Sequence, residues 1–392
     1  MKLNDWIFKW HDRQSTTTGV AVYVIWVLLF LGVFNALICN ENPLYVRSTE
    51  GLHFPAFNDF FHDITLRKRI QQDFPEGKGL YTLIPYSYDS IDKLNMSAKS
   101  PLSPQEVKSR RYKHWLGTDI LGRDVAAGVC RSLYNSTRVA ILATLFSMFL
   151  GTFLGLLAGV AGNHRLQMSI PRLLVFAVFT FLFGFYLFVF LKETLWLDLL
   201  WLLISMGCSI WAALYMPEIG GKRISLPVNN LVSMLIEIRK SVPALIWVLV
   251  LIGIFRNPGL FSTVLMISLI GWTNFARVAR AEAMSMVSGN FIAYADAIGV
   301  GIFRIMVKHI YPNIRPIIVT MAIFAFTGNI LLEATLSFLG MGLPADEVSF
   351  GSFFAAAKSN LNAWWLIVFP GVVFFLLVFS LRLVSGKASE SY

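Results

Sequence analysis

Long uninterrupted apolar blocks are the feature that most limits what this chain can become. They run at about 19–39, 137–161, 173–191, 195–216, 231–255, 260–280, 316–337 and 364–384. Roughly 20 mostly apolar residues cross a hydrocarbon core of about 30 Å. Lipid gives backbone groups no hydrogen-bond partners, so each crossing must be helical. Charged residues are 14% of the 392 and hydrophobic ones 56%, too few charges to clothe a soluble core of that size. The sequence therefore predicts an all-α polytopic membrane protein with about eight spans.

The blocks divide the chain. Residues 1–18 are polar and carry Lys2, Lys9 and Arg13; 19–39 read as a first span that is retained, because the apolar run is too long for a cleaved leader. Residues 40–133 are the one long polar stretch. Its aromatic content (Phe54, Phe57, Phe60, Phe61, Tyr81, Tyr86, Tyr88) suggests a small folded domain of mixed irregular structure rather than a disordered linker. Residues 134–384 form the membrane domain and 385–392 a tail. The polar break Lys192–Glu193–Thr194 makes 173–216 a helical hairpin, since one helix through it would far exceed the bilayer.

Charge distribution orients these spans. Thirteen basic and eleven acidic residues lie between 40 and 136, leaving 20 basic against 12 acidic elsewhere. If eight spans alternate, Lys2, Lys9, Arg13, Arg165, Arg172, Lys222, Arg223, Arg239, Lys240, Arg277, Arg280, Arg304, Lys308, Arg315, Arg382 and Lys387 share one side. The opposite short loops hold little beyond Lys192, Arg256 and Lys358. Both termini are thus expected in the cytoplasm, with 40–133 outside. The same bias accounts for the net charge of +10, which on its own invites a nucleic-acid partner; none is expected. Cys39, Cys130 and Cys208 are scattered, and no His/Cys spacing suggests a metal site. Cys39 and Cys130 could both lie near the outer face, where a bridge is conceivable, but free core thiols are the ordinary reading.

The stretch 276–313 lies on the expected cytoplasmic side between two spans. Ser288, Gly289 and Asn290 are helix-start residues, and Phe291, Tyr294, Ala295 and Ile298 recur on one helical face. Gly299 and Gly301 break that helix, and a second short helix is expected from about Ile302 to before Pro312. A short amphipathic helix of this kind suits a groove on a partner protein. It suits equally an interfacial helix lying on the membrane.

This stretch resembles the cytoplasmic coupling loop (the EAA motif) of binding-protein-dependent ABC permeases. The match runs through Arg277, Arg280, Ala281, Glu282, Ala295, Gly299, Arg304, His309, Pro312 and Asn313, while Ala293 and Tyr294 stand where the family has Glu and Ala. A second stretch, HWLGTDILGRD (His114–Asp124), resembles a segment at the same place in the C-type subunits of dipeptide and oligopeptide permeases, including Gly117, Thr118, Asp119, Gly122, Arg123 and Asp124. Read from the residues, the glycines permit tight turns and Asp119, Arg123 and Asp124 can order the loop. A catalytic aspartate pair would need a nucleophile or ligand cluster that is not there. A third stretch, SFLGMGLP (Ser337–Pro344) followed by Gly351 and AWWLIVFPG (Ala363–Gly371), completes the family order. ENPLYVRSTEGLHFPAF (41–57) and AKSNLNAWW (357–365) look most like the type associated with microcin C and oligopeptide uptake.

The resemblance implies an ABC type I importer permease fold in a bacterial inner membrane, with six core spans, the 173–216 hairpin as a peripheral insertion, and a coupling loop at about 281–314. It implies a second permease subunit in a heterodimer, two ATPase subunits and an extracytoplasmic solute-binding protein. No cofactor is expected on this chain; ATP and Mg belong to the partner subunits. That agrees with the residues, which contain no GxxxxGK[ST] phosphate loop, so this chain is read as a transport subunit and not an enzyme. The rival reading, an ion-coupled secondary transporter, would want buried carboxylates near several span centres or internal repeats. Glu333 is the carboxylate to weigh: it lies near the outer end of its span and either lines the pathway or bonds between helices.

Overall fold

The computed structural model describes residues 16–48, 51–64, 79–107, 109–193, 196–214, 223–255, 259–287, 299–344 and 346–390. The helices are α1 Thr16–Val33, α2 Asn35–Ile38, α3 Pro55–Ile64, α4 Val125–Ala161, α5 Ile170–Glu193, α6 Trp196–Leu214, α7 Val228–Ser241, α8 Ala244–Ile254, α9 Leu260–Val287, α10 Ile302–Phe338, α11 Phe350–Ser359 and α12 Trp365–Glu390. Five short strands accompany them: β1 Tyr45–Ser48, β2 Gly51–His53, β3 Gly79–Leu80, β4 Gln167–Ser169 and β5 Arg223–Ser225. Among the described residues, α4, α9, α10 and α12 are long and apolar enough to cross a membrane. Thr17–Val33, Ile170–Phe185 and Ala244–Ile254 are shorter apolar helices.

Three boundaries depart from the apolar pattern, each for a local reason. Helix α4 begins at Val125, ahead of the apolar block at 137, because Asp124 caps it: its Oδ1 accepts the Ala127 N–H at 2.8 Å. The block at 231–255 is two helices rather than one. Pro243 has no N–H and its ring crowds the residue before it, so Val242 is extended (φ −104°, ψ 131°) and α7 stops at Ser241. Nor does Pro312 end a helix. The turn before it, Met306–Ile310, is π-helical, and this wider winding lets the helix continue past Pro312 and Pro316 to Phe338.

The structure divides into two compact units, Met1–Ala143 with Gly259–Val264 and Ile323–Tyr392, and Thr144–Pro258 with Leu265–Ala322. In the first, α1 packs along α12, and Leu28, Leu133, Ala140, Ile330, Phe350, Leu377 and Leu381 form a buried cluster. The apolar face α1 turns outward (Val20, Tyr23, Trp26, Phe30) is more than half exposed, as is Phe375 of α12. Such surface suits hydrocarbon and would be a liability in water. Between α1 and α4 lies the antiparallel sheet β2-β1-β3 with α3 beside it.

In the second unit α5 and α6 pack side by side as the expected hairpin. Strands β4 and β5 pair antiparallel, Gln167 with Ser225, so the chain enters and leaves this excursion at the same place. The packing of α4 on α9 relies on small residues. A Cβ on Gly151 would lie 2.2 Å from Trp272 O, one on Gly155 2.3 Å from Ala276 O, and one on Gly159 2.6 Å from Ala283 Cβ. These three glycines, four residues apart, let two backbones touch, which is how membrane helices bind without a hydrophobic drive between them.

A side chain at Gly155 cannot be absorbed, because the obstacle is backbone. Gly155→Leu is expected to destabilise by about 3 kcal/mol or more, the upper end for overpacking. Gly184→Leu, at an exposed glycine with no described atom within 4 Å of the added one, should be near neutral. Thermal unfolding of the two variants in the same detergent checks this.

Candidate functional site

His114–Asp124 fold into a tight loop around two left-handed glycines, Gly117 (φ +82°) and Gly122 (φ +83°). Space forbids a side chain as firmly as the backbone angle does. A Cβ on Gly117 would lie 2.8 Å from Lys99 O, and one on Gly122 2.4 Å from Asp92 O. Asp119 Oδ1 accepts the N–H groups of Leu121 and Arg123, each at 2.9 Å, and its Oδ2 meets Arg123 Nε at 2.7 Å. Thr118 donates its hydroxyl to Asn95 O at 2.8 Å, and its carbonyl accepts Trp365 Nε1–H at 3.0 Å. Two separate sequence motifs therefore meet through one hydrogen bond.

Behind the loop, His114 is fully buried between two carboxylates. Its Nδ1 lies 2.8 Å from Asp124 Oδ2 and its Nε2 3.2 Å from Asp92 Oδ2, with Tyr86 stacked on the ring at 4.2 Å. Burial alone would favour the neutral imidazole, but the bonds and charges of Asp124 and Asp92 outweigh it and raise the His114 pKa above its ordinary 6.5. Asp92 is likewise penalised by burial. Bonds from Asn95, His114 and the Leu94 amide nevertheless hold it below its ordinary 3.8. Burial, then the charges of Asp92 and Asp124, push the Tyr86 phenol up, so it stays protonated and donates to Tyr112 O at 2.7 Å. A cleft of about 620 Å³ opens beside this group, with Glu41, Asp92, Glu106, Tyr86 and Tyr112 in its wall.

Glu333 of α10 is completely buried, and both carboxylate oxygens are engaged: Ser136 of α4 donates to Oε2 at 2.6 Å and Ser337 to Oε1 at 2.8 Å. Of its two readings, the bond between helices is the one the geometry supplies. One turn away on α4, Arg131 meets Glu347 at 3.2 Å and lies 4.4 Å from the centre of the Tyr88 ring. Asn135 donates to Glu347 Oε2 at 2.7 Å and to Val348 O at 2.8 Å. The sequence reading missed this clamp. Its signal was available: Arg131, Ser132, Asn135 and Ser136 place a polar face at the head of an apolar helix.

On the coupling stretch, Asn290, Phe291, Ala293, Tyr294, Ala295 and Ile298 lie outside the described residues. Gly299 is left-handed (φ +73°) with open space where a Cβ would sit, so its backbone angle, not crowding, selects glycine. From Ile302 the helix exposes Phe303 (67%), Val307 (48%) and Tyr311 (39%) at four-residue spacing, with Arg304 and Lys308 exposed beside them. His309 accepts the Asn313 amide on its carbonyl at 2.6 Å, and Pro312 is exposed. An apolar stripe flanked by cations is a surface that can seat a partner.

Residues 208–387 match the family described as binding-protein-dependent transport system inner membrane component. The inner membrane ABC transporter permease protein YejE of Escherichia coli is 26% identical over 396 aligned positions, 96% of this chain and 92% of that one. The peptidoglycan transport system permease protein YejE of Agrobacterium fabrum is 22% identical over 91% of this chain and 84% of its own. The oligopeptide transport system permease protein OppC of Mycobacterium bovis is 24% identical over 78% of this chain and 80% of its own. The chain thus resembles permease components of binding-protein-dependent and oligopeptide transport systems.

The charged His114 clasp gives the polar segment a defined pH response. A histidine whose folded pKa is raised contributes fully below 6.5 and loses its contribution as pH rises through the folded value. Asp92, being depressed, contributes above 3.8 and fades as pH falls. The clasp is therefore strongest between those two values. Hydrogen exchange of peptides spanning 86–124, corrected for intrinsic rates, should show protection falling above pH 6.5 in the native chain. His114→Gln should remove that slope and cost about 1–3 kcal/mol at acid pH, since it leaves a buried carboxylate short of a partner.

Proposed function

We propose that this chain is a membrane-spanning permease subunit of an ATP-driven importer that passes peptides or peptide-like solutes delivered by a binding protein. The observation that carries this reading is the family match over 208–387, a range that contains the coupling stretch, Glu333 and the Ser337–Pro344 motif. The names of the relatives support peptide cargo, and one of them adds peptidoglycan-derived material as a candidate class. They favour the importer over the ion-coupled carrier.

In this proposal the multi-pass chain lies in a bacterial inner membrane with both termini in the cytoplasm. It makes about eight passes, the fifth of them broken at Pro243. Residues 40–124 form a small extracytoplasmic domain, and the 173–216 hairpin is a peripheral addition to six core passes. The chain pairs with a second permease subunit around a central path. Two separate ATPase subunits dock at the coupling stretch, where Phe303, Val307 and Tyr311 supply apolar contact and Arg304 and Lys308 supply charge. Helix α10 runs from Ile302 to Phe338, so its exposed first turns and the segment within the membrane belong to one helix. The His114–Asp124 loop ties the head of α4 to the head of α12, and the Arg131–Glu347 clamp ties α4 to the approach to α11, giving the delivered solute a firm entry.

Transport is then a two-state switch. ATP on the partners and the loaded binding protein stabilise different states, and without such differential binding neither could drive it.

Gentle purification of the tagged chain from its native membrane should recover an ATPase and a second permease, identified by mass spectrometry. Vesicles rebuilt from these with the binding protein should accumulate oligopeptide when ATP is inside. Gly299→Val forces a side chain into a left-handed angle at about 1–2 kcal/mol and should slow ATP-driven uptake roughly tenfold. A chain that purifies alone, with uptake following an ion gradient and indifferent to ATP, would sink the importer reading.

A further inference from the structure

We propose that Cys39 and Cys130 form a disulfide in the mature protein, fastening the outer end of the first span to the outer end of the second. The two residues are 91 apart in sequence and come together in one buried group with Ala127, packed against Ile38 and Ile84. Both side chains are buried, 3% and 8% exposed, and neither is in a disulfide in the structure.

Each cysteine sits on well-held backbone. Cys39 follows α2, donates its N–H to Asn35 O at 2.7 Å, and is bridged to Ile84, whose N–H reaches Ile38 O at 2.9 Å. Cys130 lies in the second turn of α4, one turn after Ala127 and just beyond the Asp124 cap. A disulfide requires the sulfurs to close to about 2.05 Å over a Cβ separation of roughly 3.5–4.5 Å. Cys39 and Cys130, packed in one small buried group, approach that by side-chain rotation.

The surroundings favour the oxidised form. Among the described residues, the polar segment between these cysteines has strands of only two to four residues, and small folds of that kind are served by covalent staples. On the sidedness proposed above it faces an oxidising compartment, where such bonds persist. The step needs a protein disulfide as oxidant. One cysteine thiolate attacks that disulfide, forming a mixed disulfide and releasing one oxidant thiolate. The second cysteine thiolate then displaces the other. Two protons leave, two electrons pass to the oxidant, and it departs as a dithiol. Exchange takes place before the group closes over both sulfurs.

Cys208, in the α5–α6 hairpin, is an internal reference. Bacteria expressing the unaltered chain are quenched in acid, and the denatured protein is treated with polyethylene glycol maleimide. The expected result is one adduct without reduction and three after it, with a linked peptide containing Cys39 and Cys130 found by mass spectrometry. Three adducts before reduction, or a bridge that involves Cys208, overturns the proposal. In parallel, a Leu83→Cys variant (Leu83 is 84% exposed) is exposed to a membrane-impermeant maleimide on intact cells. Three free thiols with Leu83→Cys labelled would remove the bridge alone. Three free thiols with no labelling would remove the sidedness as well.

Discussion

The carboxylate of Asp124 stands where a polar domain turns into a 37-residue helix, and each of its oxygens has a separate task. Oδ1 accepts the Ala127 amide and so supplies one of the partners that the first turn of any helix lacks. Oδ2 holds the buried His114 imidazole, whose other nitrogen reaches Asp92. Asp92 in turn caps the short turn Lys93–Asn95 through the Leu94 amide, and Asn95 O receives the Thr118 hydroxyl. Thr118 closes the circuit by accepting Trp365 Nε1–H at the head of α12. Remove Asp124 and the helix loses its cap, the histidine its partner, and the loop its anchor on the membrane helices.

The two units solve helix association differently. In the second, α4 and α9 meet through glycines and alanines, so attraction comes from backbone contact over a long shared face. In the first, the same α4 carries Arg131, Asn135 and Ser136 at its head, and these bind Glu347 and Glu333 through hydrogen bonds and charge. The division follows the environment expected along one helix. Charge is tolerable toward the membrane edge, where long side chains reach polar surroundings, and expensive deeper in. Close packing needs no polar atoms and serves where lipid surrounds the pair.

Much of this was legible in the sequence because it depends on composition or on local chemistry. The apolar blocks announce helices, and the break at Lys192–Glu193–Thr194 announces the α5–α6 hairpin. Gly117 and Gly122 announce turns that no other residue could make. What escaped depends on partners distant in sequence. Nothing near His114 marks Asp92 as its second carboxylate, and Glu347 lies 216 residues from Arg131. Pro312 misled for a different reason: proline normally ends a helix, yet the π-helical turn Met306–Ile310 removes the conflict that makes it do so. Hydropathy could not divide 231–255 either, because Pro243 acts through backbone geometry while its neighbours remain apolar.

Glu333 bears on the source of energy. A carboxylate within a span invites a proton-coupled mechanism, because such groups often relay protons. Here its two oxygens are occupied by the hydroxyls of Ser136 and Ser337, and it is wholly buried. A proton relay needs a group that exchanges with water in at least one state, whereas this one is satisfied by the helices it joins. Its cost is met by the bonds it makes, as for other buried polar groups. On the function proposed above, the work enters through contact with another protein. The exposed stripe of Phe303, Val307 and Tyr311, flanked by Arg304 and Lys308 at the start of α10, has the chemistry such a contact requires.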